Sequence, residues 1–118
     1  MGVELLHRAS IKTVFLTGEN SKIVEVRAKK VKADGCYINI KQKEKIFSDI
    51  CKKFNVKPPN VAYIGDDIND LKIMGHVGLT ACPSDAQKQI KLISDLKCEK
   101  EGGKGAFREF VNAILDSL

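Results

Sequence analysis

Three carboxylates crowd into five positions of the stretch VAYIGDDIND, residues 61–70: Asp66, Asp67 and Asp70 follow a short, mostly apolar run and a glycine. An apolar run of that length reads as a buried parallel strand, and open α/β sheets place their ligands at strand carboxyl ends. Three like charges in a partly desolvated crevice repel one another. A hard divalent cation such as Mg2+, held by one or two carboxylates together with water and phosphate oxygens, relieves that repulsion. A purely local reading competes with this one: Asp66 or Asp67 caps a helix beginning near Ile68, since aspartate favours N-caps and first turns.

Hydrophobic periodicity supplies the elements that would position these groups. Helical patterns are expected at residues 2–8, from a cap at Asn20 or Ser21 to about Lys32, at 43–54, 68–74, 84–93 (opened by Ser84, with Asp85 in its first turn) and 106–115. Strand patterns are expected at 11–16, 36–40, 61–64, 77–81 and 96–98. Strands alternating with helices imply right-handed crossovers and a mainly parallel sheet covered on both faces, an α/β Rossmann-like three-layer sandwich in a single domain of residues 1–118. Two more groups then join the carboxylates at strand ends: Thr17, which precedes Gly18 after the first strand, and Lys43, which opens the third helix. A hydroxyl, an ammonium and metal-binding carboxylates form a phosphate-handling set, because each stabilises charge on a transferring phosphoryl group.

Composition narrows the classes. Apolar residues make up 43% and charged residues 30%, ordinary values for a globular chain and unlike those of disordered segments. No apolar stretch approaches the roughly 20 residues needed to span a bilayer, and no secretory leader is visible, so a cytoplasmic location and no membrane partner are expected. The formal charge of +5 comes from 20 basic and 15 acidic residues. Lysine clusters without interleaved aromatics read as solvated helix faces rather than a nucleic-acid surface, while remaining compatible with a phosphorylated small molecule. Cys36, Cys51, Cys82 and Cys98 have no paired spacing and read as free thiols; Cys51 shares an apolar helix face with Phe47, Ile50 and Phe54.

Four stretches in order, FLTGENSKIVEVRAKKV, the lysine in KQKEKIFSDICKKF, NVAYIGDDINDLKIMGHVGLTACPSDA and GGKGAFREFVNAIL, resemble the haloacid dehalogenase superfamily. The closer likeness is to its small cap-less branch, the 3-deoxy-D-manno-octulosonate (KDO) 8-phosphate phosphatases and the related domain of acylneuraminate cytidylyltransferases. The resemblance implies a Mg2+-dependent phosphatase of a sugar-acid phosphate. In it Thr17 and Gly18 would bind phosphate, Lys43 would neutralise phosphate and nucleophile charge, and Asp66 would be a direct Mg2+ ligand supported by Asp67 and Asp70. Arg108 would reach the anionic substrate; Asp85 matches a position near the metal, Glu109 fits the pattern, and Lys104 stands where arginine is common. Homo-oligomers, tetramers in particular, are implied as well.

One departure is expected to matter. Members of the superfamily open with a strand ending in D-x-D-G, which carries the aspartate nucleophile and general acid, whereas residues 1–6 resemble the helix after that segment. Asp34-Gly35 is no substitute, because KKVKA rather than an apolar strand precedes it. This reading expects the first strand and the nucleophile to be missing and turnover to be impaired or absent. The alternative is a non-catalytic interaction module related to the cytidylyltransferase-associated domain. In the family the missing strand separates those expected here at 11–16 and 61–64, so either these two pair directly or a copy from another chain fills the gap.

Overall fold

A computed structural model describes residues 2–118. They form six helices and five strands, α1 (Gly2–Arg8), β1 (Val14–Leu16), α2 (Lys22–Lys30), β2 (Gly35–Tyr37), α3 (Lys43–Lys53), β3 (Ala62–Ile64), α4 (Leu71–Met74), β4 (Leu79–Cys82), α5 (Lys88–Ile93), β5 (Leu96–Lys97) and α6 (Ala106–Asp116). Short 3-10 turns cover Pro58–Asn60 and Ile68–Asp70. Every strand pairing is parallel, as the alternation of strands and helices requires. Backbone contacts gather the chain into two compact units, Met1–Lys43 and Glu44–Leu118.

In the first unit β1 pairs with β2, Val14 opposite Gly35 and Leu16 opposite Tyr37. The strand expected from residue 11 is shorter because the Thr13 N–H leaves the ladder and donates to Asp34 Oδ2 at 2.7 Å. Ser21 caps α2 as expected, its hydroxyl accepting the Val24 N–H at 3.3 Å. Helices α1, α2 and α3 all end the same way, with a residue in the left-handed region (Ser10 φ 63°, Lys32 φ 60°, Asn55 φ 54°). Each is followed by a bond back across the last turn: Ile11 N–H to Leu6 O, Ala33 N–H to Ala28 O and Val56 N–H to Cys51 O, the 6→1 bond of a Schellman motif.

Asp34 also accepts from His7 Nε2 at 2.8 Å, tying the end of α1 to the turn before β2. Burial pushes the Asp34 carboxyl up, but the Thr13 N–H and His7 outweigh it and hold the group below the usual carboxylate range. A depressed carboxyl stabilises the folded state above its unfolded-chain pKa and loses that contribution as pH falls through the folded value. The expected result is a stability contribution intact at neutral pH that disappears below about pH 4. Urea unfolding of Asp34→Asn from pH 2 to 7 checks this: the variant should show a shallower acid-side loss than the parent.

In the second unit the strand order is β3-β4-β5. The central strand β4 buries Thr80, Ala81 and Cys82, and its side chains alternate between two apolar clusters. On one face Cys82 packs with Met74, Ala86 and Ile90, joined by Tyr63 and Leu71; on the other Ala81 packs with Cys98, Ala106 and Phe110, joined by Ile64, Leu79, Leu96 and Ile114. Thr80 is buried because its polar atoms are answered by Asp95: its N–H and hydroxyl donate to Asp95 Oδ2, and its Oγ accepts the Asp95 N–H at 2.9 Å. Phe47, Ile50 and Cys51 of α3 are buried as the helical spacing implied. All four cysteines are free, and burial pushes the Cys51 and Cys98 thiols up, which keeps them protonated and unreactive near neutral pH.

Of the two arrangements expected for the first and third strands, direct pairing is not the one observed. Among the described residues β1 pairs with β2 alone and β3 with β4 alone.

Candidate functional site

The acidic turn begins where β3 ends. Gly65 continues the strand for one more bond, its N–H donating to Ala81 O at 3.0 Å, and the chain then bends into the 3-10 turn of residues 68–70. A side chain at position 65 would meet Asp70: a Cβ there would lie 2.8 Å from Asp70 Cβ. Glycine is therefore required for the aspartate to fold back under the loop.

The three aspartates have different tasks. Asp70, 2% exposed, points inward. Its Oδ2 accepts the N–H groups of Asp66 and Asp67 at 3.1 and 3.2 Å, and its Oδ1 accepts the Tyr63 hydroxyl at 2.5 Å. Asp67 is the N-cap, accepting the Ile68 N–H at 2.6 Å and forming a capping box with Asp70. The local capping expectation is thus realised at Asp67. Asp66 is exposed, and its backbone carbonyl accepts the Gln87 N–H at 3.0 Å. Among the described residues no three His, Cys, Asp or Glu side chains are grouped so as to hold a metal by themselves, so a cation bound here would draw further oxygens from water or ligand.

Neighbouring loops brace this turn. Gln87 also accepts the Ile68 N–H through Oε1 at 3.1 Å. Ser84 donates its N–H to Lys100 O, and Asp85 Oδ1 accepts the Gly102 N–H at 2.9 Å. Glu109 on α6 accepts the N–H groups of Glu99 and Lys100. The Asp85 side chain and the Ser84 backbone are therefore engaged in loop-to-loop bonds, and α5 starts later than the sequence pattern suggested, with Gln87 at its N-cap. Arg108 is exposed on α6 and donates to Asn112 Oδ1 at 3.3 Å; Lys104 lies 3.5 Å from Glu101.

Thr17, Gly18 and Lys43 belong to the first unit. The Thr17 N–H extends the β1–β2 ladder to Tyr37 O, and its Oγ accepts the Glu19 N–H at 3.1 Å, a hydroxyl turn at the strand's carboxyl end. Gly18 lies close to the Ile40 carbonyl, where a Cβ would approach to 3.2 Å. Lys43 is 9% exposed, unlike the solvated lysines around it. Tyr63 and Gln87 were not singled out from sequence. The one signal for Tyr63 was a polar tip in an apolar strand, since a buried tyrosine hydroxyl needs a partner. Nothing in the local sequence marked Gln87. A cleft of about 510 Å3 between α3 and α4 is lined by Phe47, Cys51, Ile73 and His76 among others and contains none of the aspartates.

Parallel strands with connecting helices and an acidic turn at a strand's carboxyl end define a class. The family model for haloacid dehalogenase-like hydrolases matches residues 2–78, and the chain belongs to that family. It is 32% identical over 114 residues to 3-deoxy-D-manno-octulosonate 8-phosphate phosphatase KdsC of Escherichia coli, an alignment covering 97% of this chain and 61% of the relative. The chain therefore spans about three fifths of the length of that curated relative. Among solved structures it resembles the cobalt-bound deoxy-D-mannose-octulosonate 8-phosphate phosphatase of Haemophilus influenzae, with TM-score 0.91, 32% identity and coverage of 98% of this chain and 67% of that one. It also resembles the Moraxella catarrhalis 3-deoxy-D-manno-octulosonate 8-phosphate phosphatase solved with magnesium, phosphate and KDO, with TM-score 0.92, 30% identity and coverage of 98% and 66%.

Proposed function

We propose that this chain is the core of a Mg2+-dependent phosphatase acting on a phosphorylated sugar acid of the KDO 8-phosphate type. One observation carries the reading: the acidic turn of residues 66–70 sits at the carboxyl end of β3, the position at which parallel sheets present their ligands. The donor set suits the ion. Asp66, with the second oxygen of Asp67, offers hard carboxylate ligands of the kind and number Mg2+ takes alongside water and phosphate. A bound Mg2+ would supply Lewis-acid stabilisation of charge on the phosphoryl oxygens.

The remaining roles belong to the chain's own side chains. Asp66 and Asp67 hold the ion, and Asp70 orients them through their backbone N–H groups. The Thr17 hydroxyl and the Gly18 backbone bind phosphate, Lys43 neutralises its charge, and Arg108 meets the carboxylate of the sugar acid. Asp85 acts at a distance by fixing the loop before α6. None of the aspartates within residues 1–118 lies in a D-x-D pattern, so the proposal assigns the attacking carboxylate of a covalent mechanism to none of them. The reading includes a homo-oligomer, a tetramer by family likeness, and a cytoplasmic setting. No helix of the described residues is long and apolar enough to cross a membrane.

The test has two parts. Calorimetry should detect KDO 8-phosphate binding that requires Mg2+, is abolished by EDTA and is weakened at least ~100-fold by Asp66→Ala, in line with the loss of a direct charged contact. Phosphate release is then assayed on the protein expressed from its full reading frame. Binding without release would keep the site and remove the turnover; neither binding nor release overturns the proposal.

A further inference from the structure

Tyr63 is the only residue of β3 whose side chain links the apolar core to the acidic turn among the hydrogen bonds of the described residues. Its ring packs against the cluster of Met74, Cys82, Ala86 and Ile90 and meets Phe47 edge-on, with centroids 6.5 Å apart. Its hydroxyl donates to Asp70 Oδ1. The other oxygen of the same carboxylate collects the N–H groups of Asp66 and Asp67. A ring clamped on two sides has little freedom, so the phenolic oxygen is a fixed point, and Asp70 is held to it by a short bond to a charged acceptor.

Asp70 has two ways to turn about its side-chain torsions. Facing inward, one oxygen meets Tyr63 and the other gathers both backbone N–H groups; rotated outward, it would join Asp66 in solvent and leave a buried hydroxyl and two N–H groups without their acceptor. The phenol biases that choice. We infer that Tyr63 is a positioning residue of the site: its hydroxyl locks Asp70 inward, and Asp70 in turn fixes the backbone at residues 66–67 so that their carboxylates face outward in one arrangement. Tyr63 touches neither ion nor substrate in this scheme. It acts through Asp70, and the inference rests on the function proposed above only for what the turn binds, not for the turn's geometry.

Burial and the Asp70 carboxylate beside it push the Tyr63 hydroxyl well above the ordinary tyrosine range, in keeping with its role as a donor to Asp70. The packing of Cys82, Ala86 and Ile90 around the ring leaves a phenylalanine the same seat, which makes Tyr63→Phe a deletion of one oxygen rather than of the ring.

Two measurements on Tyr63→Phe and the parent test the inference. Amide hydrogen exchange followed by NMR should quicken at Asp66 and Asp67 by roughly tenfold in the variant, while Thr80, bonded to Asp95 on β4, keeps its rate. Equal changes at all three amides, or none at 66 and 67, overturn the inference. A Mg2+ titration of the same amides reads the consequence: the parent's midpoint should rise about three- to tenfold in the variant, and an unchanged midpoint overturns the inference. If the parent itself shows no response to Mg2+, the proposed function loses its metal, and the exchange rates alone decide the role of Tyr63. Asp70→Asn, whose single amide oxygen can still accept the two N–H groups while its NH2 donates to the Tyr63 phenolic oxygen, should protect the 66 and 67 amides better than Asp70→Ala; the reverse order would contradict the scheme.

Discussion

Replacing Gly78 by alanine should destabilise the second unit by about 3 kcal/mol, because overpacking typically costs about 1–3 kcal/mol and the upper end applies where the clash is with backbone that cannot yield. A Cβ at position 78 would lie 2.0 Å from the Pro59 carbonyl oxygen and 2.9 Å from its carbon. Pro59 cannot step aside cheaply. It sits in the 3-10 turn of Pro58–Asn60, where two consecutive proline rings fix φ and the Val61 N–H is tied back to Pro58 O. Gly78 is held from its own side, with its N–H donating to Val61 O at 3.1 Å just before β4 begins. The close approach therefore sets the distance between β3 and the start of β4. Urea unfolding monitored by circular dichroism measures the cost, and a loss under 1 kcal/mol would mean that the turn gives way and does not set the spacing.

Ile90→Ala should cost about 3–4 kcal/mol, within the range for truncating a fully enclosed aliphatic side chain, against about 1 kcal/mol for Ile90→Val. Ile90 has no exposed surface and packs against Met74, Cys82 and Ala86 from the middle of α5. Relaxation around the cavity is restricted. Cys82 is held in the central strand, and the carbonyl of Ile90 itself accepts the Ser94 hydroxyl at 2.7 Å, so helix and strand are both anchored. The graded pair is the informative measurement. If alanine costs no more than valine, the helix closes over the space and the cluster on this face is softer than its burial implies.

Helices with a long apolar stripe were legible in the sequence. Phe47, Ile50 and Cys51 on α3 and Phe110 and Val111 on α6 recur at helical spacing and are buried, whereas Phe107, one turn before Phe110 and Val111, is 36% exposed. The expected ends of α1 at residue 8 and of α3 at residue 54 lie at or within one residue of the observed ones. Asn55 tolerates a left-handed backbone and could have been read as a stop, but Ser10 and Lys32 adopt the same conformation without glycine or asparagine, against their own preference. The helix opened by Ser84 on paper starts later, at Lys88, because the Asp85 carboxylate that would serve its first turn instead accepts the Gly102 N–H, a tertiary bond that the local sequence does not show.

The same division applies to the site. The location of the acidic turn followed from an apolar run ending in glycine, and β3 runs into it as expected. The unequal tasks of its three aspartates did not follow. Asp67 as a cap is a local matter, but the inward orientation of Asp70 depends on which face of β3 carries Tyr63 and on Gly65 leaving room, neither of which spacing alone reveals. Lys43 illustrates the limit from the other side. Three lysines within five positions are equivalent on paper, and only the fold separates Lys43, buried, from Lys41 and Lys45, which are exposed.

The bonds running from Asp66 to Gln87, from Asp85 to Gly102 and from Glu99 to Glu109 form a scaffold in which each loop steadies the one before it. The last helix is consequently a buttress and not an appendage. An engineer seeking a permissive place for an epitope or a spectroscopic label should leave the segments after β4 and β5 untouched, since lengthening either would slacken a brace that reaches back to the acidic tip.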